Sequence, residues 1–374
     1  KENSLYELVH AMRIHPRCAQ LDVATRGDEL NDFFFKRHIS KGLFVSKADE
    51  SFAFSPDGKS FKKNLRRERL RTYDAVWLRM PPPLSEEFLG FLIQEFSNQL
   101  IINDPSGIYE TGSKEFLKNF SQLCPPMKVC KSVEDIIEFK NRFPIVLKPF
   151  REYGGKGIVR IDGNQVWEGK NESTFRDFIS KIQDSDIEYL GVKFLKNVSQ
   201  GDKRIVVVNG KIMGASLRLP PKDSWICNVA MGGSSGYAKV ETEEIDIVDA
   251  LNPKLAELGI VMYGVDTLVG DDDKRILSEL NTTSIGGLPQ IAKLTGKSEA
   301  SVKKAISQYE KKGVIVKYSY FTLIVRESVI YYLMKRMERA KLELYMNWTT
   351  FMLYSYYYNC CNYYFVWEKF NSCY

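Results

Sequence analysis

Two stretches of this chain carry residues suited to phosphate and metal chemistry. In PIVLKPFREYGGKG, Pro144 to Gly157, an apolar strand of Ile145, Val146 and Leu147 ends at Lys148 and runs into a loop with Gly154, Gly155 and Gly157. Glycines of that kind let backbone N–H groups approach an anion closely. Far downstream, SELN places Glu279 and Asn281 two residues apart. On a strand their side chains leave the same face, and their oxygens suit a hard cation. Together the two stretches point to magnesium nucleotide chemistry. Lys114 in GSKEF is expected to reach phosphates from another side, and Asp266 to supply a further metal oxygen. The strand YLGVKFL, Tyr189 to Leu195, is expected to offer backbone groups of Phe194 and Leu195 to adenine, with Arg204 opening the next strand.

The elements that must position these residues can be read from periodicity. A helix is expected near Ser4 to Ile14, a strand at Leu21 to Thr25, and a buried strand AVWLRM at Ala75 to Met80 that Pro81, Pro82 and Pro83 must end. A helix from Ser85 to Asn98 gathers Phe88, Leu89, Phe91, Leu92 and Phe96 on one side, and the strand LIIND follows. Strands alternating with helices imply a mostly parallel sheet in this first part. Helices are then expected at Ser113 to Leu123, Val133 to Asn141 and Ser173 to Lys181. A further unit from Glu188 to about Leu294 is expected to hold five strands, opening with YLGVKFL and going on through RIVVVNG, KIMGASLRL, MYGVDTLVG and RILSELN, with turns at Asn209-Gly210 and Gly270 to Asp273. They form an α+β layer of mainly antiparallel strands. The basic run Lys62, Lys63, Arg66, Arg67, Arg69 and Arg71 reads as a solvated helix face.

Composition narrows the chemistry. The 374 residues, 44% hydrophobic, suffice for more than one core, and a formal charge of +6 suits anionic ligands without demanding nucleic acid. The only histidines are His10, His15 and His38, all near the start, so a Ser/His/Asp triad or a histidine-rich zinc site centred on the later motifs is not expected. Seven cysteines in no CxxC spacing fit a reduced, cytoplasmic setting. The chain starts at Lys1 and enters a helical pattern at once, so the first strand of an α/β domain is expected to be missing. After Gly313 the sequence has no Gly, Pro, Asp or His yet holds 12 of the 20 tyrosines. That tail reads as foreign to the fold. Its uncharged run from Leu344 to Trp367 has the length to span a bilayer but is rich in Tyr, Asn, Ser and Thr, so no membrane anchor is expected.

From Ala75 to Leu294 the chain resembles the ATP-grasp superfamily and, within it, the prokaryotic-type glutathione synthetases. The stretches that carry the likeness are VWLRMPPP, IINDPSGIYETGSKEF, VLKPFREYGGKGI, FLKNVSQGDKRIVVVNG, NVAMGGS, GVDTLVG and SELN, in the family's order. The resemblance implies an α/β (α+β) ATP-grasp fold behind a truncated parallel-sheet domain. Its parts would be a substrate domain at 1–105, a lid subdomain at 106–187, a core subdomain with the metal site at 188–313 and the unrelated tail at 314–374. It implies an ATP-dependent carboxylate–amine ligase that passes through an acyl phosphate. Glutathione synthesis from γ-glutamylcysteine and glycine comes first, with a related peptide ligase of another substrate pair as the alternative.

By position, Lys114, Lys148, Tyr153, Gly154, Gly155, Gly157, Phe194 and Leu195 would hold ATP. Arg204, Arg218 and Asn228 would act in catalysis, and Arg79, Gly232 and Gly233 would face substrate. Asp266, Glu279 and Asn281 would bind two magnesium ions, or manganese in their place. The partners implied are small molecules, with no nucleic acid and a homo-oligomeric state. Three departures stand out: the interval from Asp266 to Glu279 is long, through Asp271, Asp272 and Asp273, Met80 to Pro83 lacks the family's acidic residue, and TTSIGGL after Asn281 differs from the family's substrate-facing turn. A different class remains open for residues 284–318, where Val302, Ile306, Tyr309 and Gly313 fit the pattern of a DNA-binding helix-turn-helix.

Overall fold

The computed structural model describes residues 4–15, 18–152, 154–221 and 234–286. Its sixteen strands fall into four sheets. Near the amino end, β1 (Asp22–Val23), β2 (Leu43–Lys47) and β3 (Arg66–Glu68) form an antiparallel sheet. The only parallel pair among the described residues is β4 (Val76–Trp77) with β5 (Ile101–Ile102). The mostly parallel first part expected from the sequence is therefore confined to two short strands. AVWLRM makes its last bond to the partner strand at Leu78, whose N–H donates to the Ile102 carbonyl at 2.8 Å, ahead of the triproline that Arg26 holds through the Pro81 and Pro83 carbonyls, at 2.8 and 3.0 Å.

The basic run is not a helix face. Lys59–Lys62 is a single 3-10 turn and Arg66–Glu68 is an edge strand. Its arginines are committed locally: Arg66 pairs with Asp22 and with Glu68, and Arg67 lies over the Phe33 ring at 5.2 Å. The helix Glu86–Glu95 matches its apolar pattern, capped by the Ser85 hydroxyl, which accepts from the Phe88 N–H at 3.2 Å. It buries Phe88, Leu89, Phe91 and Leu92.

A six-stranded sheet follows, with β6 (Met127–Cys130), β7 (Ile145–Pro149), β8 (Val159–Asp162), β9 (Gln165–Glu168), β10 (Asn171–Thr174) and β11 (Tyr189–Lys193). Their order across the sheet is β10-β9-β8-β7-β11-β6. Tyr189–Lys193, expected to open the next unit, pairs instead with β7 and β6 as the penultimate strand of this sheet. Sequence adjacency to the following hairpin hid that partnership. Ile145, Leu147, Ile161, Val166 and Phe178 fill the core beneath.

The last sheet holds β12 (Asp202–Val208), β13 (Lys211–Leu219), β14 (Ser234–Ala238), β15 (Met262–Val269) and β16 (Arg275–Asn281), ordered β14-β13-β12-β15-β16 and antiparallel throughout. The Asn209-Gly210 turn has both residues left-handed, φ 46° and 76°, as a two-residue hairpin requires. The helix Thr242–Glu257 covers one face, burying Ile247, Val248, Leu251 and Leu255. On that same face Lys203, 3% exposed, meets Glu244 at 2.8 Å and Glu241 at 3.1 Å, and the Thr267 hydroxyl donates to Glu244 at 2.6 Å. Side chains alternate along a strand, so Asp202 and Arg204 on either side of Lys203 point the other way, toward the site.

Candidate active site

The β15–β16 pair carries a bulge. Asp266 is opposite Glu279, but Thr267 is opposite Leu277, leaving Ser278 as the extra residue. A bulge removes one residue from the ladder and re-aims its neighbours. Here it offers Ser278 to the other sheet: Lys148 Nζ donates to the Ser278 carbonyl at 3.2 Å and to its hydroxyl at 3.3 Å. Lys148 lies on β7 opposite Leu190, so its side chain links the six-stranded sheet to the last one.

Lys114 approaches the same place from the 3-10 segment Lys114–Leu123, expected as an α-helix. A non-helical residue at Phe120 interrupts it. The Lys114 backbone N–H donates to the Phe150 carbonyl at 3.1 Å, and its Nζ to the Glu152 carbonyl at the root of the glycine loop. Burial pushes the Lys114 ammonium pKa down, with Glu279 pulling it up and Lys148 lowering it further. Thr111, Ser113, Lys114, Glu279, Asn281 and Thr282 line one cleft. Gly154, Gly155 and Gly157 all have left-handed φ, 69°, 82° and 67°, which side chains resist. A Cβ on Gly157 would also come within 2.9 Å of Pro149.

Behind the cleft sits a four-membered charge network. Arg204 grips Asp266 with two bonds, Nε to Oδ1 at 2.7 Å and Nη2 to Oδ2 at 2.5 Å. Arg218 donates to Asp266 Oδ2 at 2.9 Å while gripping Asp202 with Nε at 2.7 Å and with Nη2. Each grip joins cross-strand partners, Arg204 with Asp266 and Asp202 with Arg218. Burial alone would raise the Asp266 pKa, yet Arg204 and Arg218 more than offset it and hold the carboxyl well below the usual range. Burial and the Asp266 charge push Asp202 up to about 6. Asp202 was missed from sequence, although its place two residues from Arg204 on one strand face was a legible signal.

The oxygens expected to bind metal are grouped. Asn281 Nδ2 donates to Asp266 Oδ2 at 3.2 Å, and the Glu279 carboxylate makes no hydrogen bond or ion pair among the described residues. No cluster of three or more His, Cys, Asp or Glu side chains able to hold a metal occurs among the described residues. Two carboxylates and an amide oxygen match what magnesium takes from protein when phosphates supply the rest. The donor set therefore fits a nucleotide-borne magnesium.

Other expected residues fall differently. The Phe194 N–H donates to the Pro144 carbonyl at 2.8 Å, so that donor is committed to the sheet and not open to adenine, and Leu195 is buried at 5% exposure. Arg79 lies apart from the Arg204 network. Its Nη2 donates to the Ile285 carbonyl at 2.9 Å and its guanidinium sits 5.3 Å from the Trp77 ring. Among the described residues its buried Nε and Nη1 have no hydrogen-bond partner. Tyr153, Asn228, Gly232 and Gly233 lie outside the described residues, as do the tail at 314–374 and all but the first three residues of the helix-turn-helix stretch. No helix among the described residues is long and apolar enough to cross a membrane.

A lysine-bearing antiparallel sheet, a left-handed glycine loop and a facing carboxylate hairpin define the ATP-grasp class. Residues 113–296 match the family model for the prokaryotic glutathione synthetase ATP-grasp domain. A glutathione synthetase of Bradyrhizobium diazoefficiens is 30% identical over 240 residues, covering 63% of this chain and 73% of that protein. One from Prochlorococcus marinus subsp. pastoris is 29% identical over 287 residues, 75% of this chain and 84% of the relative. Among solved structures, a crystal structure of D-cycloserine synthetase aligns with a TM-score of 0.47 and 16% identity, over 64% of this chain and 84% of that one. The chain belongs to the prokaryotic glutathione synthetase family.

Proposed function

We propose that this chain is an ATP-dependent carboxylate–amine ligase that joins γ-glutamylcysteine to glycine. One observation carries the reading: Lys148 of the six-stranded sheet reaches the bulge beside Glu279, in a cleft that Lys114 also lines. Two cations facing one carboxylate suit a triphosphate that enters with its metal. The relatives' printed name, glutathione synthetase, supports the substrate pair.

In this reading the γ-phosphoryl group passes to the carboxylate of the acid substrate, ADP leaves, and the amine then displaces phosphate as the C–N bond forms and a proton is lost. Lys114 and Lys148 bind the phosphates, and the loop from Arg151 to Gly157 closes to exclude water. Arg204 and Arg218 stabilise the negative charge of the transferring group and of the acyl phosphate. Asp202 and Asp266 keep both guanidinium groups oriented. Asp266, Glu279 and Asn281 would hold the magnesium ions, which when bound neutralise phosphate charge. Arg79, a buried cation with open donors, suits a substrate carboxylate. Free Cys18, Cys124 and Cys130 agree with a reducing cytoplasm.

The test is ADP release with magnesium and ATP, with γ-glutamylcysteine and glycine given separately and together. ADP is expected only when both are present, with the tripeptide seen by mass spectrometry. No ADP above the single-substrate background would overturn the assignment of substrates. Turnover with a different acid and amine would instead favour the related peptide ligase.

A further inference from the structure

The six-stranded sheet is built from one uninterrupted stretch, residues 127–193, and the chain leaves it for β12 through residues 194–201. This linker therefore bears on how the Lys148 sheet stands against the Glu279 strand. The turn between β15 and β16 holds it. Asp271 Oδ2 accepts from Lys193 Nζ at 2.6 Å, just before the linker, and Oδ1 accepts from the Lys196 backbone N–H at 3.3 Å, inside it. Asn197 Nδ2 donates to the Gly270 carbonyl at 2.8 Å and to Asp273 Oδ1 at 3.0 Å. One carboxylate thus spans Phe194 and Leu195 and fastens them to the hairpin that carries Asp266 and Glu279. The turn is able to reach because it is long: Gly270 N–H closes onto the Lys274 carbonyl at 2.7 Å, with Asp273 left-handed at φ 64°.

We propose that Asp271 is a positioning residue for nucleotide binding, clamping the 194–197 linker so that the Lys148 sheet and the Glu279 strand keep the spacing the nucleotide needs. The inference rests on the ATP reading above. Asp271 touches neither phosphate-binding lysine nor Glu279, so its effect is on the population of the binding-competent arrangement. When that fraction falls, apparent affinity falls by the same factor while the bound complex is unchanged.

The experiment is titration calorimetry of the full chain with magnesium and ADP, alongside steady-state kinetics and thermal melting. Asp271→Ala is expected to raise the Kd for ADP and the KM for ATP about tenfold, with kcat at saturating ATP within about twofold. Lys193→Ala, which removes the clamp from the other sheet, is expected to do the same and to add little in the Asp271→Ala background. Asp271→Glu is expected to recover part of the affinity. Asp272→Ala is the control, because among the described residues Asp272 accepts only from Lys274 N–H within the turn, at 3.3 Å. Unchanged affinity in both Asp271→Ala and Lys193→Ala overturns the clamp, as does a loss of kcat without a change in Kd or an equal effect from Asp272→Ala. Wild-type chain that binds no ADP overturns the ATP reading and the clamp together; wild-type binding with unaffected variants overturns the clamp alone.

Discussion

Lys148 and Ser278, 130 residues apart in sequence, meet because a bulge lifts Ser278 out of its ladder and presents both carbonyl and hydroxyl to the lysine. The lysine is thereby fixed on the residue that precedes Glu279, where the proposed nucleotide would place its phosphates. Preorganised charge of this kind is worth roughly two to three orders of magnitude in rate when a donor is removed. Lys148→Ala is expected to lower kcat/KM for ATP by about a hundredfold or more, measured by ADP release. Ser278→Ala keeps the carbonyl contact, so its loss is expected to stay within about tenfold. Equal losses from the two variants would place the hydroxyl, not the lysine, at the centre of the site.

Much of this arrangement was legible in the chain because it depends on local pattern. The Asn209-Gly210 turn, the apolar strand before Lys148 and the glycine loop each follow from one short stretch, and each is present. The bulge at Ser278 was not legible, because nothing in RILSELN distinguishes a residue that pairs from one that is skipped. The pairing of Tyr189–Lys193 with β7 and β6 was hidden for a related reason: strand partners are set by tertiary packing, whereas sequence shows only that a strand exists. Asp202 was visible as a residue but not as a partner of Arg218, which lies 16 residues away on the next strand.

The buried pair behind the site makes a prediction about stability. Glu244 is fully buried, and its carboxylate is satisfied by Lys203, the Thr267 hydroxyl and the Glu241 N–H. Lys203→Met strips the cation and leaves a buried charge, at a cost of about 3–5 kcal/mol. Adding Glu244→Gln is expected to recover most of that loss, since the amide oxygen still caps the helix and no charge remains to be compensated. Urea midpoints of the two variants measure it. A double variant as unstable as the single one would show that packing, not charge, is what Lys203 supplies.

Cys124, which follows the Lys114–Leu123 segment, has its thiol pushed up to about 12 by burial, against a smaller opposite pull from Lys148. It therefore stays protonated at neutral pH, and only the thiolate reacts. Iodoacetamide is expected to alkylate Cys124 at least about a hundredfold more slowly than a free thiol of pKa about 8.5. Its rate should go on rising tenfold per pH unit beyond pH 9, where an ordinary cysteine levels off. Peptide mass spectrometry across pH 7–10 follows it, and a plateau near pH 9 would contradict the burial of the thiol.

Arg79 sets stability against binding. Burial pushes its pKa down to about 10, and two of its nitrogens have no hydrogen-bond partner among the described residues. A group whose folded pKa lies below its ordinary value penalises folding wherever it is charged, so the cost is present in full below pH 10 and fades only as the pH rises above that. At neutral pH an apolar side chain of similar length removes the penalty and keeps the contact with Trp77. Arg79→Met is therefore expected to stabilise the ligand-free chain by about 1 kcal/mol or more, read as a higher urea midpoint. If Arg79 takes the substrate carboxylate as proposed, the same variant is expected to raise KM for the acid substrate about tenfold or more. Added γ-glutamylcysteine should raise the melting temperature of the wild type and leave that of Arg79→Met unmoved. A variant that loses stability while binding the acid normally would mean that Arg79 is a structural cation satisfied by Ile285 and Trp77 alone.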